Sequence, residues 1–256
     1  MNLETLTAAM TKLFSSLKTR KKRDENRLFI AEGENLCYEL LNSSYKVKTL
    51  LIRQDASSTS KDLAKLFERK KTPVYSVNEK LLKKISDTVS PQDLIAIVNY
   101  KDDKPIQEES FIALDQISDP GNIGTIIRTA EWFGFKQIIM SENCADKYNP
   151  KLVRSAMGSL FRMKIITELK LSQSLKIIFP HHLILGASLE AKKTIDRFKP
   201  NRKFGLIFGN ESHGISEMTK NILDDTFKIP GYSAESLNVA VAAGISFYYF
   251  TSENSD

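Results

Sequence analysis

Two rhythms of apolar residues alternate along this chain. Short apolar runs suit strands buried on both faces, and the stretches between them, apolar every three or four positions, suit helices that cover those strands. The pattern predicts βα units and a largely parallel sheet throughout. Residues 3–19 predict a helix with Leu3, Leu6, Met10, Leu13, Phe14 and Leu17 on one face. Strands follow over 28–31, 47–53, 74–77 and 94–98, separated by helices near 34–42, 60–70 and 79–85. Residues 1–100 therefore read as one compact α/β domain. The segment 101–110 is polar, contains proline and lacks periodicity, which marks a linker. In residues 111–256, strands are predicted over 111–114, 137–140, 161–166, 183–187, 204–208 and 226–229, with helices on both faces of a second sheet. The apolar run from Val239 to Phe250 is too short to cross a bilayer. As a helix it is apolar nearly all round, so either the rest of the domain or a second subunit must bury it.

Composition narrows the class. Hydrophobic residues make up 41% and charged residues 27%, as in ordinary globular proteins, which excludes disordered and fibrous classes. The N-terminal stretch places its basic cluster after its apolar positions, the reverse of a secretory signal, so a cytoplasmic protein is expected. Cys37 and Cys144 are far apart and form neither a disulfide framework nor a metal-binding pair; both are expected as buried free thiols. Charge is uneven. The first 100 residues hold 18 Lys plus Arg against 12 Asp plus Glu, and the remainder holds 19 against 19. Lys21, Lys22, Arg23 and Arg27 contribute to that excess in a run able to neutralise several phosphates, although such a run can equally be a solvated helix end.

Three stretches carry chemistry. In DPGNIGTIIRTAEWFGF, Asp119 to Phe135, a strand runs into Asn122 and Gly124 and then a helix, which offers backbone N–H groups to a polar or anionic ligand at the edge where open α/β sheets bind ligands. The glycines are too closely spaced for the dinucleotide fingerprint, and the phosphate-loop pattern is absent. Arg128 can face the same side as the loop, or be an exposed helix arginine in a surface ion pair. In LIFGNESHGIS, Leu206 to Ser216, Gly209 allows close backbone approach to a ligand and Glu211 stands at a strand's C-terminal edge. His213 has no nucleophile and base pair around it, and the adjacent His181 and His182 diverge, so no metal site is expected. In IPGYSAESLNVAVAAGI, Ile229 to Ile245, Ser236 and Asn238 stand where a polar loop becomes the apolar helix, and Ser236 reads equally as a cap or a ligand contact.

At these stretches the sequence resembles the SpoU (TrmH-like) family of the SPOUT superfamily of RNA methyltransferases. Its first motif is matched by Asn122, Gly124 and Arg128, its second by Phe208, Gly209, Glu211 and Gly214, and its third by Ile229, Pro230, Ser236, Leu237, Asn238 and Val239. Segments within 23–98, among them FIAEGENL and SDTVSPQDLIAIV, resemble the L30e-like substrate-binding domain of many members, which turns the basic run into an RNA contact. The resemblance implies an enzyme that moves a methyl group from S-adenosylmethionine to a ribose 2'-hydroxyl, without a metal. It implies a catalytic domain with a C-terminal trefoil knot and a homodimer.

By the same resemblance, Ala187, Gly209, Ile229 and Leu237 hold the cofactor, and Asn122, Glu211, Ser236 and Asn238 order the site around Arg128. Arginine stays protonated at neutral pH, so Arg128 is expected to clamp the neighbouring phosphate and stabilise the developing alkoxide rather than act as a simple base. One departure stands out: between Pro230 and Ser236 the family loop is about one residue longer and has a glycine where this chain reads Tyr232-Ser233-Ala234. The altered loop keeps a second reading open, an RNA-binding assembly factor that has lost turnover. A Rossmann oxidoreductase is disfavoured by the missing glycine fingerprint. Ribosomal RNA is preferred to transfer RNA as substrate, by family analogy alone.

Overall fold

Contacts in the computed structural model, which describes residues 6–232 and 236–252, divide the chain into two units. The first contains the chain up to Lys101 together with Tyr148–Arg162, and the second contains Asp102–Lys147 and the chain from Met163 onward. The segment 148–162, which hydropathy placed with the second sheet, thus packs in the first unit.

The first unit runs α1 (Ala8–Ser16), α2 (Arg20–Asn26), β1 (Leu28–Glu32), α3 (Glu34–Leu41), β2 (Val47–Arg53), α4 (Ser58–Arg69), β3 (Val74–Val77), α5 (Glu79–Ile85) and β4 (Leu94–Asn99). The helix predicted over 3–19 is found as the shorter α1, and a separate basic helix that was not predicted, α2, follows it from Arg20; residues 3–5 lie outside the described residues. The cause is Arg23. Its Nη1 donates to the carbonyls of Leu17 at 2.9 Å and Lys18 at 2.8 Å, so the buried guanidinium satisfies backbone groups just past the end of α1. Leu6, Phe14 and Leu17 then pack on Leu28, Ile30, Ile95 and Ile97 of the sheet.

That sheet has the order β1-β4-β2-β3. β4 runs antiparallel to both β1 and β2, and only β2 and β3 are parallel, which corrects the parallel arrangement predicted here. Hydropathy reports burial and carries no strand direction. The direction comes from Glu32, a buried carboxylate at the end of β1. It accepts from Ser86 Oγ at 2.7 Å, Thr88 Oγ1 at 3.2 Å and the Gln92 N–H at 2.9 Å. These bonds pin the turn after α5 beside the end of β1, so β4 enters from that edge and returns.

The second unit begins with β5 (Phe111–Asp115), α6 (Pro120–Trp132) and β6 (Gln137–Ser141). Next come α7 (Pro150–Ala156) and α8 (Ser159–Arg162), both within the first unit. There Tyr148 stacks on Phe29 with centroids 4.3 Å apart, and its hydroxyl bonds both backbone groups of Lys101 at 2.9 Å. Phe161 is buried near Tyr45 and Phe29, so the strand predicted from 161 begins only at Lys164. The chain continues with β7 (Lys164–Leu169), α9 (Leu171–Ile178), β8 (Leu183–Ala187), β9 (Lys193–Thr194), β10 (Phe204–Gly209), α10 (Glu217–Lys220), β11 (Asp225–Lys228) and α11 (Val239–Ser252).

The seven strands are ordered β7-β6-β5-β10-β8-β11-β9, and every recorded pairing is parallel, as predicted for this sheet. β5 and β10 are completely buried over Phe111–Leu114 and Leu206–Ile207, as strands covered on both faces require. From β5 the chain winds outward through β6 to β7, then restarts beyond β5's other side, with β10 inserted between β5 and β8. The winding reverses at β5 and β10, and a crevice for a ligand is expected outside their C-terminal ends.

Candidate active site

The C-terminal ends of β5, β10, β8 and β11 meet at this crevice. β5 leads into Asp119, the N-cap of α6, whose carboxylate accepts from the N–H groups of Gly121 at 2.6 Å and Asn122 at 3.0 Å, with Pro120 pre-setting the first turn. Those two N–H groups are therefore taken by the chain itself, and the helix start does not offer them to a ligand as the sequence suggested. What it offers is the Asn122 side chain.

Asn122 is the middle of a one-way chain of hydrogen bonds. Asn238 Nδ2 donates to Asn122 Oδ1 at 3.0 Å, and Asn122 Nδ2 donates to Glu211 Oε1 at 2.8 Å. The Glu211 oxygen is the acceptor, so Glu211 fixes the orientation of Asn122, which fixes Asn238. Asn238 also turns its Oδ1 to the N–H groups of Ala240 at 2.9 Å and Val241 at 3.4 Å. Asn238 is thus the cap of α11, a role the sequence offered to Ser236, which is exposed.

Gly209 ends β10, and a Cβ there would lie 2.1 Å from the Gly214 carbonyl carbon and 2.2 Å from the Ile215 nitrogen. The absent side chain makes room first for the chain's own loop. Asn210 and Gly214 pair through N–H to O bonds of 3.0 and 2.9 Å, closing a tight turn that presents Glu211. Asn210, not among the site residues expected from the motifs, secures that turn. Its Nδ2 donates to the Gln116 carbonyl at 2.8 Å, and its Oδ1 accepts from the Ser212 N–H at 2.9 Å. Asp115, buried at the end of β5, accepts from the Ser216 N–H at 2.8 Å and Oγ at 2.7 Å. The only sequence signal for either residue was its place at a strand end.

Ala187 closes β8, the neighbour of β10, and Ile229 follows β11, the next strand beyond β8, at the same edge. Leu237 is 48% exposed beside Asn238, and Leu189, just beyond β8, is 65% exposed. The Tyr232-Ser233-Ala234 departure lies largely outside the described residues. Arg128 is not joined to the Asn122 network. It lies about 9 Å farther along α6 at 1.5 Å per residue, on the exposed face, and has no hydrogen-bond or ion-pair partner among the described residues.

Three motif-bearing loops thus meet in one hydrogen-bonded network at one sheet edge. The sequence pattern of the SpoU rRNA Methylase family matches residues 109–248, and that of the MRM3-like substrate binding domain matches residues 10–96. The chain belongs to the SpoU rRNA methylase family. It is 30% identical over 237 residues, 92% of this chain and 93% of the relative, to a 23S rRNA (guanosine(2553)-2'-O)-methyltransferase of Bacillus subtilis. Two solved structures resemble it closely. One is a TrmH-family protein from Porphyromonas gingivalis, 30% identical with a TM-score of 0.85, covering 98% of this chain and 100% of that one. The other is an AdoMet-bound rRNA methyltransferase from Sinorhizobium meliloti, 28% identical with a TM-score of 0.85, covering 96% of this chain and 95% of that one.

In the SpoU family's substrate-binding half, the basic residues divide. Lys21 is exposed, Lys22 pairs with Glu25 at 2.6 Å, and Arg27 stands 5.5 Å from the Tyr100 ring centroid. Arg23 is 2% exposed with its guanidinium turned to backbone carbonyls, which corrects its assignment as an RNA contact: a buried cation cannot reach a phosphate.

Proposed function

We propose that this chain transfers a methyl group from S-adenosylmethionine to a ribose 2'-hydroxyl of ribosomal RNA. The observation that carries the reading is the Asn238–Asn122–Glu211 chain, which ties all three family motifs together at the switch point of the parallel sheet. The donor set fits the cofactor. Backbone at the ends of β10, β8 and β11, around Gly209, Ala187 and Ile229, suits the polar edges of an adenosine, and the exposed side chains of Leu189 and Leu237 suit its faces. When bound, S-adenosylmethionine supplies an electrophilic methyl group on its sulfonium.

The protein's own part is to place and activate the hydroxyl. Arg128, exposed and unpaired among the described residues, holds the phosphate next to the target ribose and stabilises negative charge as it grows on the 2'-oxygen. The proton leaves with the help of that phosphate, because a guanidinium remains protonated at neutral pH. Glu211, Asn122 and Asn238 hold the loops in register, and Ser236 borders them. Arg128→Ala is expected to keep cofactor affinity, measured by calorimetry, and to lose at least about a hundredfold in methyl transfer to RNA. Near-normal turnover would refute the assignment.

Lys21, Lys22 and Arg27 contribute to RNA contact. A homodimer is supported by α11, where Val241, Ile245 and Tyr248 stay 49%, 40% and 63% exposed while the opposite side is buried. The insertion of β10 between β5 and β8, with α11 returning to pack on α6, is consistent with a knotted C-terminal segment. No helix among the described residues is long and apolar enough to cross a membrane, and a cytoplasmic enzyme is the reading that the likeness to a bacterial 23S rRNA methyltransferase supports.

A further inference from the structure

The first unit is electrically polarised along its strands. β1, β2 and β3 point the same way and β4 the other, so one edge of the sheet collects the starts of β1, β2 and β3 with the end of β4. The opposite edge, where β1 and β2 end and β4 begins, carries Glu32, Glu34, Asp55 and Asp93, with Arg53 paired to the two aspartates, so its balance stays acidic. The first edge carries cations instead. Arg27 precedes β1, Lys46 precedes β2, Lys48 lies within its start, and Lys70 and Lys71 close the helix before β3.

A cleft of about 580 Å³ opens on this cationic edge, bordered by Lys46, Lys48, Lys70, Lys71, Tyr45 and Asn99 among others, with no carboxylate in its lining. Lys70 is spent on the Leu41 carbonyl. Lys46, Lys48 and Lys71 are exposed, and among the described residues no group accepts a hydrogen bond or ion pair from their ammonium groups. Three unneutralised cations around one concavity raise the local potential and draw an anion with several charges. Lys71 also sits at φ 61°, just past the end of α4, where the Thr72 N–H reaches back to the Phe67 carbonyl at 3.0 Å. That position favours glycine, and a lysine there carries a conformational cost while placing its charge at the cleft.

Arg27 extends the same surface. Leu28 pairs with Asn99, the Tyr100 N–H donates to the Arg27 carbonyl at 2.9 Å, and the Asn99 N–H donates to the Lys46 carbonyl at 3.0 Å. Cation-bearing positions therefore follow one another across the sheet edge from α2 to β3.

We propose that the RNA backbone crosses the first unit along this edge, with Lys46, Lys48 and Lys71 holding phosphates in the cleft and the acidic opposite edge turned away. The inference rests on the reading of the chain as an RNA methyltransferase and adds the track the substrate follows. The test uses the full-length protein and a fluorescein-labelled RNA stem-loop, with affinity measured by anisotropy across a salt series. The triple variant Lys46→Gln, Lys48→Gln, Lys71→Gln is compared with a control that removes the same charge from exposed helix positions, Lys61→Gln, Lys80→Gln, Lys84→Gln.

Loss of three phosphate contacts flattens the slope of log affinity against log salt by about 2 to 3 and weakens binding at least about tenfold at about 0.1 M salt. The control is expected to keep the wild-type slope. Lys46→Arg, Lys48→Arg, Lys71→Arg is expected to keep it too, which separates charge from any effect on folding. A wild-type slope in the glutamine variant, or an equal loss in the control, overturns the track while leaving the methyltransferase reading intact. Absence of salt-dependent binding by the wild-type protein overturns both.

Discussion

At the scale of single residues, the site depends on which way each amide points. Asn122 donates to a carboxylate and accepts from an amide, and no other uncharged side chain of its length does both. Asn122→Asp replaces the donor with a second carboxylate against Glu211, so the pair repels unless one proton is shared. Methyl transfer by this variant is expected to fall at least about tenfold at neutral pH, and to recover in part toward pH 5, within the range where paired carboxylates take up a proton. A pH profile of initial rates checks both parts. The motif residues were legible in the sequence because their chemistry is particular, yet the division of labour was not. Ser236 and Asn238 are both good caps, and only the path of the loop decides that Asn238 takes the N–H groups of α11. Likewise nothing in the run Lys21–Arg23 distinguishes the one cation that turns inward.

Elements add direction and fastening to those residues. Arg23 joins the end of α1 to α2 through two carbonyls, so Arg23→Gln is expected to cost about 2 kcal/mol or more by leaving buried polar groups unpaired. Thermal unfolding would record the loss, and the salt slope of RNA binding should not change. His182, ahead of β8, offers a pH handle. Burial pushes its imidazole below its ordinary pKa of about 6.5, against the opposing effect of its hydrogen bond to the Glu109 carbonyl at 3.1 Å. The folded protein therefore holds the ring neutral at pH values where the unfolded chain has begun to take up a proton. Stability is full above the unfolded value and declines as pH falls below it toward the folded value. Urea titrations between about pH 7 and 5 should show this slope, and His182→Gln should reduce it. Strand and helix positions were largely readable because burial leaves a periodic trace. The antiparallel course of β4 was not, because it is set by the distant contacts of Glu32 with Ser86, Thr88 and Gln92.

For the whole molecule, the exposed apolar side of α11 bears on assembly. Ile245→Glu with Tyr248→Glu places charge on that side without touching Phe247 or Phe250, which are buried. The wild type is expected to sediment as a dimer and the double variant as a monomer, with cooperative unfolding retained. Chain organisation was the least legible level. Residues 148–162 are as apolar and helical as any segment of an α/β unit, and nothing in their composition says that Tyr148 stacks on Phe29. This return of the chain bears on synthesis. A ribosome that has released residue 101 has not yet made the aromatic face that covers Phe29, and must first produce β5, α6 and β6. The amino-terminal half is therefore completed out of order, waiting on a segment that arrives only after the catalytic half has begun to form.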